Sequence, residues 1–363
     1  MKAKRRELCV SIAAALATLA LPGNASAQKG KARGHTITPT PIASRKGLQG
    51  GSALTQLSST QLTDTVSRFQ TLGVKWVRFG FDWSVIQPNS ATEYFFDRYD
   101  AVVRALAAAG IQMLGIIEYT PSWANGGKPS KFYPPLDATD YARFAGALAT
   151  RYAAMGVHAW EIWNEPNVGA FWNPAPDPAA YVTLLAGAYA AIHRADSAAV
   201  VVTGGLSQPG NTATTMRSID FLTAMYKNGA RGNFHAVGNH PYDDPKLPSQ
   251  GSNWRLMYAT SPSFLSVMAA HGDAGKKIWV TEIGAPSNGA ASSGPVDETR
   301  QAQILTDAYN VAHGYDWMGP VFWYNFKDFC AYDPNANTEC FYGLVRYDGS
   351  NKPSAAAYQA APN

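Results

Sequence analysis

The chain has 363 residues, of which 46% are hydrophobic and 15% charged, a composition typical of a folded protein with a large core. Its formal net charge is +4, but residues 1–27 contain four basic residues and one Glu, so the rest of the chain carries only +1. No dense Lys/Arg run lies beyond residues 29–33, and this excludes nucleic acid as an expected partner.

The first 27 residues have the pattern of a secretory signal peptide. Four basic residues within positions 2–6 precede the apolar run Leu8–Leu21, and Ala25-Ser26-Ala27 supplies small residues for cleavage. The apolar run is too short to span a membrane. We therefore predict a signal peptide over 1–27, a leader over 28–44 and a secreted or periplasmic protein, with no membrane association after cleavage.

Helical and strand-like segments alternate along the rest of the chain. Period-3.6 patterns predict helices over Leu62–Leu72, Tyr99–Ala109, Tyr141–Met155, Ala179–Ala195, Ile219–Asn228, Phe264–Ala270, Thr299–His313 and Ser354–Gln359. Short apolar runs predict strands over Arg45–Gln49, Trp76–Phe79, Met113–Ile117, His158–Trp163, Val200–Thr203, Ala236–Gly238, Ile278–Thr281 and Val321–Tyr324.

This alternation predicts an α/β fold of one domain over residues 45–363. Strands that are apolar throughout are typical of a parallel sheet covered on both faces, and eight strand–helix units favour a (β/α)8 TIM barrel. An open doubly wound sheet is the alternative. Neither a GxGxxG nor a phosphate-loop pattern occurs, which argues against that alternative.

Polar residues follow several of the predicted strands, where a barrel places its active site. Two of them are the carboxylates Glu165 and Glu282, at the ends of the fourth and seventh strands, which face one another across a closed barrel. Glycosidic bond cleavage needs two such carboxyl groups on either side of the bond. The other candidates at strand ends are Arg78, Glu118, Trp123, Asn164, His240, Tyr242 and Trp323.

These residue types suggest separate roles. Arg78 and Tyr242 can hydrogen-bond Glu282 and keep it ionised, as a nucleophile requires. Glu165 is the candidate general acid, and Asn164 can bind a sugar 2-hydroxyl.

The remaining strand-end residues are interpreted with alternatives. Trp123 and Trp323 are candidate platforms for sugar rings. His240 is as consistent with a structural histidine as with a substrate contact, and Glu118 would bind substrate or pair with a nearby Arg or Lys. Glu161, inside the fourth strand, is predicted to form a buried ion pair.

The motifs at these positions resemble those of clan A glycoside hydrolases, which are retaining (β/α)8 enzymes. Trp163-Asn164-Glu165-Pro166 resembles the clan's acid/base motif, and the segment from Ile278 to Gly284 resembles its nucleophile motif. Thr120-Pro121-Ser122-Trp123-Ala124 is further similar to family 39, including bacterial members that cut exopolysaccharide, with family 5 second. The resemblance covers most of residues 60–330 and implies Glu165 as acid/base and Glu282 as nucleophile.

The two cysteines beyond the signal segment, Cys330 and Cys340, are ten residues apart in a polar loop. In an exported protein the expected pairing is a disulfide between them. No His or Cys cluster has the usual spacing of a metal site, so we expect neither a metal nor a cofactor.

The sequence leaves several functions open. We expect a monomer that cleaves a β-linked extracellular or cell-wall polysaccharide internally. The alternatives are an exo-acting β-glycosidase, a transglycosylase of the same clan, and a sugar-binding barrel without catalytic activity.

Overall fold

The computed structural model describes residues 44–50, 52–290 and 295–363. The predicted signal peptide and all of the predicted leader except its last residue lie outside the described residues. Among the residues that are described, no helix combines the length and the apolar character that a membrane span requires.

Eight parallel strands close into a barrel in which each strand pairs with the next in sequence and β1 pairs with β8. The predicted TIM barrel is therefore confirmed. The strands are β1 (Lys46–Gln49), β2 (Trp76–Asp82), β3 (Gln112–Glu118), β4 (Ala159–Ile162), β5 (Val200–Thr203), β6 (Ala236–Asn239), β7 (Lys277–Ile283) and β8 (Met318–Trp323).

Helices surround the barrel, and all eight predicted helices are present with ends shifted by no more than three residues. Two further short helices, the second and the seventh, had no periodic signal. The helices are α1 (Ser59–Leu72), α2 (Trp83–Ile86), α3 (Asp97–Ala108), α4 (Ala138–Tyr152), α5 (Pro178–Ala195), α6 (Ser218–Lys227), α7 (Ser252–Tyr258), α8 (Phe264–Ala270), α9 (Glu298–His313) and α10 (Pro353–Ala360).

The helix ends follow ordinary capping chemistry. Helix α1 begins with a reciprocal capping box between Ser58 and Gln61, and it ends at Gly73, whose positive φ of 72° favours a residue without a Cβ. Asp177 caps α5 by accepting from the backbone N–H groups of Ala179 and Ala180. Pro178 occupies the first helical position, where its lack of a backbone N–H costs nothing. These local signals account for the close agreement between predicted and observed boundaries.

The core has two layers that the strands separate. Inside the barrel lies a small cluster that includes Trp76, Trp279 and Phe322, with the two indoles in edge-to-face contact at 5.4 Å. Between the strands and the helices lies a much larger apolar layer, which includes Trp160 and Trp323. Because successive strand residues point to opposite faces, this arrangement decides which side chains reach the mouth of the barrel.

Candidate active site

The carboxyl ends of the strands surround a cavity of about 790 Å³. Six of the predicted site residues line it: Arg78, Glu118, Asn164, Glu165, Tyr242 and Glu282. His240 lies beneath them and is fully buried. The structure therefore brings together most of the residues that sequence placed at separate strand ends.

Glu282 is held by two donors on one side of the cavity. The buried Arg78 donates from Nη1 to Oε1 of Glu282 at 2.6 Å, and the hydroxyl of Tyr242 donates to Oε2 at 3.1 Å. Burial opposes ionisation of this carboxyl, but the charges of His240 and Arg78 and these hydrogen bonds together lower the pKa of Glu282. Glu282 is thus kept as a carboxylate, as predicted for a nucleophile.

Glu161 fixes the other side of Arg78. Its Oε2 accepts from Nε of Arg78 at 2.6 Å, while Oε1 accepts from the backbone N–H of Gly205 at 2.8 Å. Both members of the pair are almost completely buried. The predicted buried ion pair of Glu161 is present, and its partner is the arginine that also contacts the catalytic site.

Asn164 is oriented by the same arginine. Nη2 of Arg78 donates to Oδ1 of Asn164 at 3.1 Å. The amide nitrogen is therefore the end of Asn164 left to donate to a substrate oxygen, in agreement with the predicted contact to a sugar hydroxyl.

Glu165 is presented by an unusual backbone at the end of β4. Trp163 and Glu165 have positive φ angles of 69° and 43°, a region that L-residues enter at an energetic cost. The backbone N–H of Glu165 donates to the carbonyl of Gly205 at 3.2 Å, which ties the turn to the segment after β5. This turn directs the carboxyl of Glu165 into the cavity.

His240 joins Glu165 to the buried polar network. Its Nδ1 lies 2.8 Å from Oε1 of Glu165, and its Nε2 lies 3.0 Å from the hydroxyl of Thr281. Thr281 donates its proton to the carboxylate of Glu161 at 3.0 Å, so its oxygen must accept from Nε2–H of His240. Nδ1 is then the ring nitrogen left to form the hydrogen bond with Glu165.

The charge state of His240 depends on its neighbours. Burial lowers the pKa of His240, but the charge of Glu282 and the hydrogen bond to Glu165 outweigh it and raise the pKa above its usual value. Gly205 packs against this ring so closely that a Cβ there would lie 2.0 Å from Nε2. This close approach requires glycine, a constraint that the sequence did not reveal.

Glu165, His240 and Glu282 form the one group among the described residues whose side chains could offer three ligand atoms to a metal ion, all within 4.8 Å of one another. The same atoms are engaged in hydrogen bonds to one another, to Arg78 and to Tyr242.

Glu118 is a third carboxyl group in the cavity. It is the direct neighbour of Asp82 in the register of β2 and β3, and Asp82 pairs with Lys131 at 2.5 Å. Burial, followed by the charge of Asp82, raises the pKa of Glu118 to about 8. The ion pair of Lys131 is thus with Asp82. The raised pKa of Glu118 favours a neutral carboxylic acid in the cavity at pH 7.

Trp123 and Trp323, the predicted sugar platforms, do not line the cavity. Trp323 is fully buried, and its indole N–H lies 3.3 Å from the carbonyl oxygen of Tyr342, to which it donates. Trp123 is partly buried against Trp83 and donates to the carbonyl of Gln87 at 2.8 Å. Neither side chain is among the residues that line the cavity, and other aromatic residues occupy its walls.

Those aromatic residues were missed by sequence reasoning. Tyr324 lines the cavity because Phe322, two residues earlier, points into the barrel, and the intervening Trp323 points out. Counting alternate residues along β8 would have found Tyr324. The other aromatics that line the cavity are Tyr119, Phe171, Phe326, Phe329 and Tyr342.

The predicted disulfide between Cys330 and Cys340 is present, with Cα atoms 5.2 Å apart. It closes part of the loop that follows β8. Phe329, Glu339 and Tyr342 of this loop line the cavity, so the loop forms one of its walls.

The model of the cellulase family, glycosyl hydrolase family 5, matches residues 39–325. No curated protein is significantly similar in sequence.

Several solved structures share the fold. A family 39 glycoside hydrolase from the gut symbiont Bacteroides cellulosilyticus WH2 is 24% identical, with a TM-score of 0.63 over 82% of this chain and 59% of that one. This chain thus spans less than two thirds of the length of the Bacteroides protein. A monomeric beta-xylosidase from Caulobacter crescentus CB15 is 20% identical, with a TM-score of 0.59 over 88% and 69% of the two chains.

A family 5 protein (GH5_18) from Streptomyces cattleya, solved with GlcNAc, is 16% identical, with a TM-score of 0.60 over 87% of this chain and 79% of that one. These likenesses agree with the barrel, and the family match extends over more than half of the chain. The chain belongs to glycosyl hydrolase family 5, within the clan A retaining O-glycosyl hydrolases.

Proposed function

We propose that this protein hydrolyses glycosidic bonds by double displacement, with Glu165 as acid/base and Glu282 as nucleophile. The observation that carries the proposal is the closeness of the two carboxyl groups. An oxygen of Glu165 and an oxygen of Glu282 lie within 4.8 Å of each other. Retaining glycosidases hold their two carboxyl groups about 5–5.5 Å apart, whereas inverting enzymes leave about 6.5–9.5 Å for a water molecule.

In the first step, an oxygen of Glu282 attacks the anomeric carbon while the bond to the leaving oxygen breaks. Glu165 gives its proton to that oxygen, and the sugar becomes an ester of Glu282. In the second step, Glu165 takes a proton from water, whose oxygen attacks the anomeric carbon and releases Glu282. His240 supports both steps because its Nδ1 hydrogen-bonds the carboxyl group of Glu165 at 2.8 Å and so holds it in place.

The proposed substrate is a β-linked extracellular or cell-wall polysaccharide that is cut internally by an exported, monomeric enzyme. The cavity volume of about 790 Å³ lies in the upper part of the range for ligand sites, which supports an extended substrate. The pattern of residues 1–27 supports export. The Caulobacter crescentus neighbour, which is monomeric, supports the monomer.

An exo-acting β-glycosidase is the second candidate. The Caulobacter crescentus neighbour is a beta-xylosidase, and its fold is similar over 88% of this chain. The two functions differ in their products. Internal cleavage of β-glucan, β-mannan or β-xylan should release mixed oligosaccharides, and viscosity should fall faster than reducing ends appear; exo action should release one small sugar from the start.

The catalytic assignment is tested with Glu282→Ala and Glu165→Ala. Glu282→Ala should lose turnover on every substrate, and added azide should restore it by forming a glycosyl azide of inverted configuration. Glu165→Ala should spare aryl glycosides whose leaving group needs no proton. Glu93→Ala, which removes an exposed glutamate, is the matched control and should retain wild-type rates.

Near-normal cleavage of natural glycan by both catalytic variants would refute the assignment. A wild-type protein that binds glycans but cleaves none of them would instead favour the non-catalytic barrel. Products longer than the starting oligosaccharide would indicate transglycosylation.

A further inference from the structure

The loop after β8 places two side chains of different chemistry at the cavity rim. Phe329 lines the cavity with half of its surface exposed (50%), and the exposed carboxylate of Glu339 lines it as well. An aromatic face and a hydrogen-bond acceptor that line the same cavity match a pyranose ring, which has apolar C–H faces and hydroxyl edges.

The disulfide links the chain positions that directly follow these two residues. Cys330 directly follows Phe329, and Cys340 directly follows Glu339. The backbone N–H of Phe329 also donates to the carbonyl of Cys340 at 2.9 Å. The cross-link therefore constrains the backbone spacing of Phe329 and Glu339, although nine residues lie between them in sequence.

The base of the loop is anchored by a buried ion pair. Nζ of Lys352 donates to Oδ1 of Asp328 at 2.8 Å and to the carbonyl of Phe341 at 3.1 Å, and only 1% of the lysine side chain is exposed. The backbone N–H of Gly343 donates to the same Oδ1 at 2.8 Å. Asp328 directly precedes Phe329, so the backbone that carries the ring is already anchored before a substrate binds.

Aromatic rings connect this rim to the nucleophile. The hydroxyl of Tyr242 donates to Glu282, and its ring meets that of Tyr342 at 6.1 Å. Tyr342 meets Tyr324 at 5.3 Å, and the hydroxyl of Tyr324 lies 3.5 Å from Glu339. A glycan that runs along this wall passes from the catalytic pair to the loop without leaving the cavity.

We propose that Phe329 and Glu339 form a sugar-binding subsite, separate from the catalytic centre, that holds an uncharged pyranose unit of the same glycan. Phe329 contacts the apolar face of the ring, and Glu339 accepts a hydrogen bond from a hydroxyl. The carboxylate disfavours a uronic acid at this position because like charges repel. This inference rests on the proposed function, and it assigns a role to the disulfide loop, which lies outside the family resemblance.

The test separates long from short substrates. Phe329→Ala and Glu339→Ala should each weaken binding of a hexasaccharide roughly threefold to tenfold, the range expected for one lost aromatic or hydrogen-bond contact. Binding is measured by calorimetry in a Glu282→Gln background, with cellohexaose, mannohexaose and xylohexaose and the matching disaccharides as probes. The matching disaccharides should lose less affinity than the hexasaccharides, because fewer sugar units reach the loop.

Tyr332→Ala is the matched control. Tyr332 is in the same disulfide-closed loop and is 82% exposed, but it does not line the cavity. Its replacement should leave every affinity unchanged. The double variant Cys330→Ser/Cys340→Ser should reproduce the loss for hexasaccharide, because it frees the spacing of Phe329 and Glu339.

Two results would overturn the subsite. One is wild-type hexasaccharide affinity in both Phe329→Ala and Glu339→Ala; the other is that no hexasaccharide binds more tightly than its disaccharide. If Glu282→Ala still abolishes hydrolysis in those cases, the proposed function stands and only the subsite fails. If the wild-type protein cleaves no glycan, the proposed function fails first.

Discussion

Glu118→Gln tests whether the third carboxyl group in the cavity is neutral. The pKa of Glu118 is raised from 4.5 to about 8, first by burial and then by the charge of Asp82 beside it, while Arg78 and Lys131 act in the opposite direction. Between these two pH values the folded protein keeps the proton and the unfolded chain loses it. Unfolding therefore releases a proton, and the free energy of unfolding falls as pH rises from about 4.5 to about 8.

The magnitude follows from the width of that window. One proton corresponds to about 1.4 kcal/mol per pH unit, so the full shift would amount to at most about 5 kcal/mol. Glu118 lines the cavity and is only partly buried, so water screens part of the effect. We expect a difference on the order of 1–3 kcal/mol.

Glutamine keeps the shape of Glu118 but cannot ionise. Glu118→Gln should match the wild type near pH 4 and exceed it in free energy of unfolding by about 1–3 kcal/mol near pH 8.5. Urea unfolding at pH 4, 6.5 and 8.5 measures this, with the exposed Glu93→Gln as control. A difference between variant and wild type that is the same at all three pH values would refute a raised pKa at Glu118.

Three further predictions concern the network and the loop. His240→Ala removes a charge that lowers the pKa of Glu282, so that pKa rises and the acidic limb of the kcat/KM profile should move to higher pH; an unmoved limb would contradict this role. Glu161→Gln removes one charge of a buried pair and should destabilise the protein by about 3 kcal/mol in urea unfolding, whereas a loss below about 0.5 kcal/mol would mean that Arg78 does not need it. Cys330→Ser/Cys340→Ser should lower the free energy of unfolding by about 2–3 kcal/mol. Non-reducing mass spectrometry of the exported wild-type protein should show an N-terminus at Gln28 and no free thiol. Two thiols that react with an alkylating reagent would contradict the pairing.

The barrel and the catalytic pair could be predicted because both depend on local patterns. Each strand is a short apolar run, and glycines with positive φ, such as Gly73 and Gly156, lie at or shortly after the helix ends. The alternation of strands and helices is therefore visible in the sequence. Once the strands are placed, the barrel geometry itself sends Glu165 and Glu282 to the same mouth. The ion pair of Glu161 followed from the same logic, since a buried carboxylate needs a partner.

The rest of the site depends on contacts between segments far apart in sequence. Trp323 and Tyr324 are both aromatic residues at the end of β8, and only the alternation of side chains along the strand separates the buried one from the one in the cavity. The raised pKa of Glu118 comes from its burial and then from the charge of Asp82, its neighbour in the adjacent strand, and that pairing depends on the strand register. The position of the loop after β8 depends on the ion pair between Lys352 and Asp328, which no local sequence pattern predicts.

The charge on Arg78 explains why the site contains Glu161, a carboxylate with no chemical role in the proposed reaction. In the proposed intermediate Glu282 is an ester and carries no charge, so its attraction for Arg78, at 2.6 Å in the free enzyme, is lost. A fully buried arginine without a counter-ion would cost several kcal/mol, and that cost would appear in the barrier to forming the intermediate. Glu161 remains charged throughout and keeps Arg78 paired at 2.6 Å. The arginine can therefore stabilise Glu282 before the reaction and remain in place while the ester forms, so that it meets the carboxylate again when water releases the sugar.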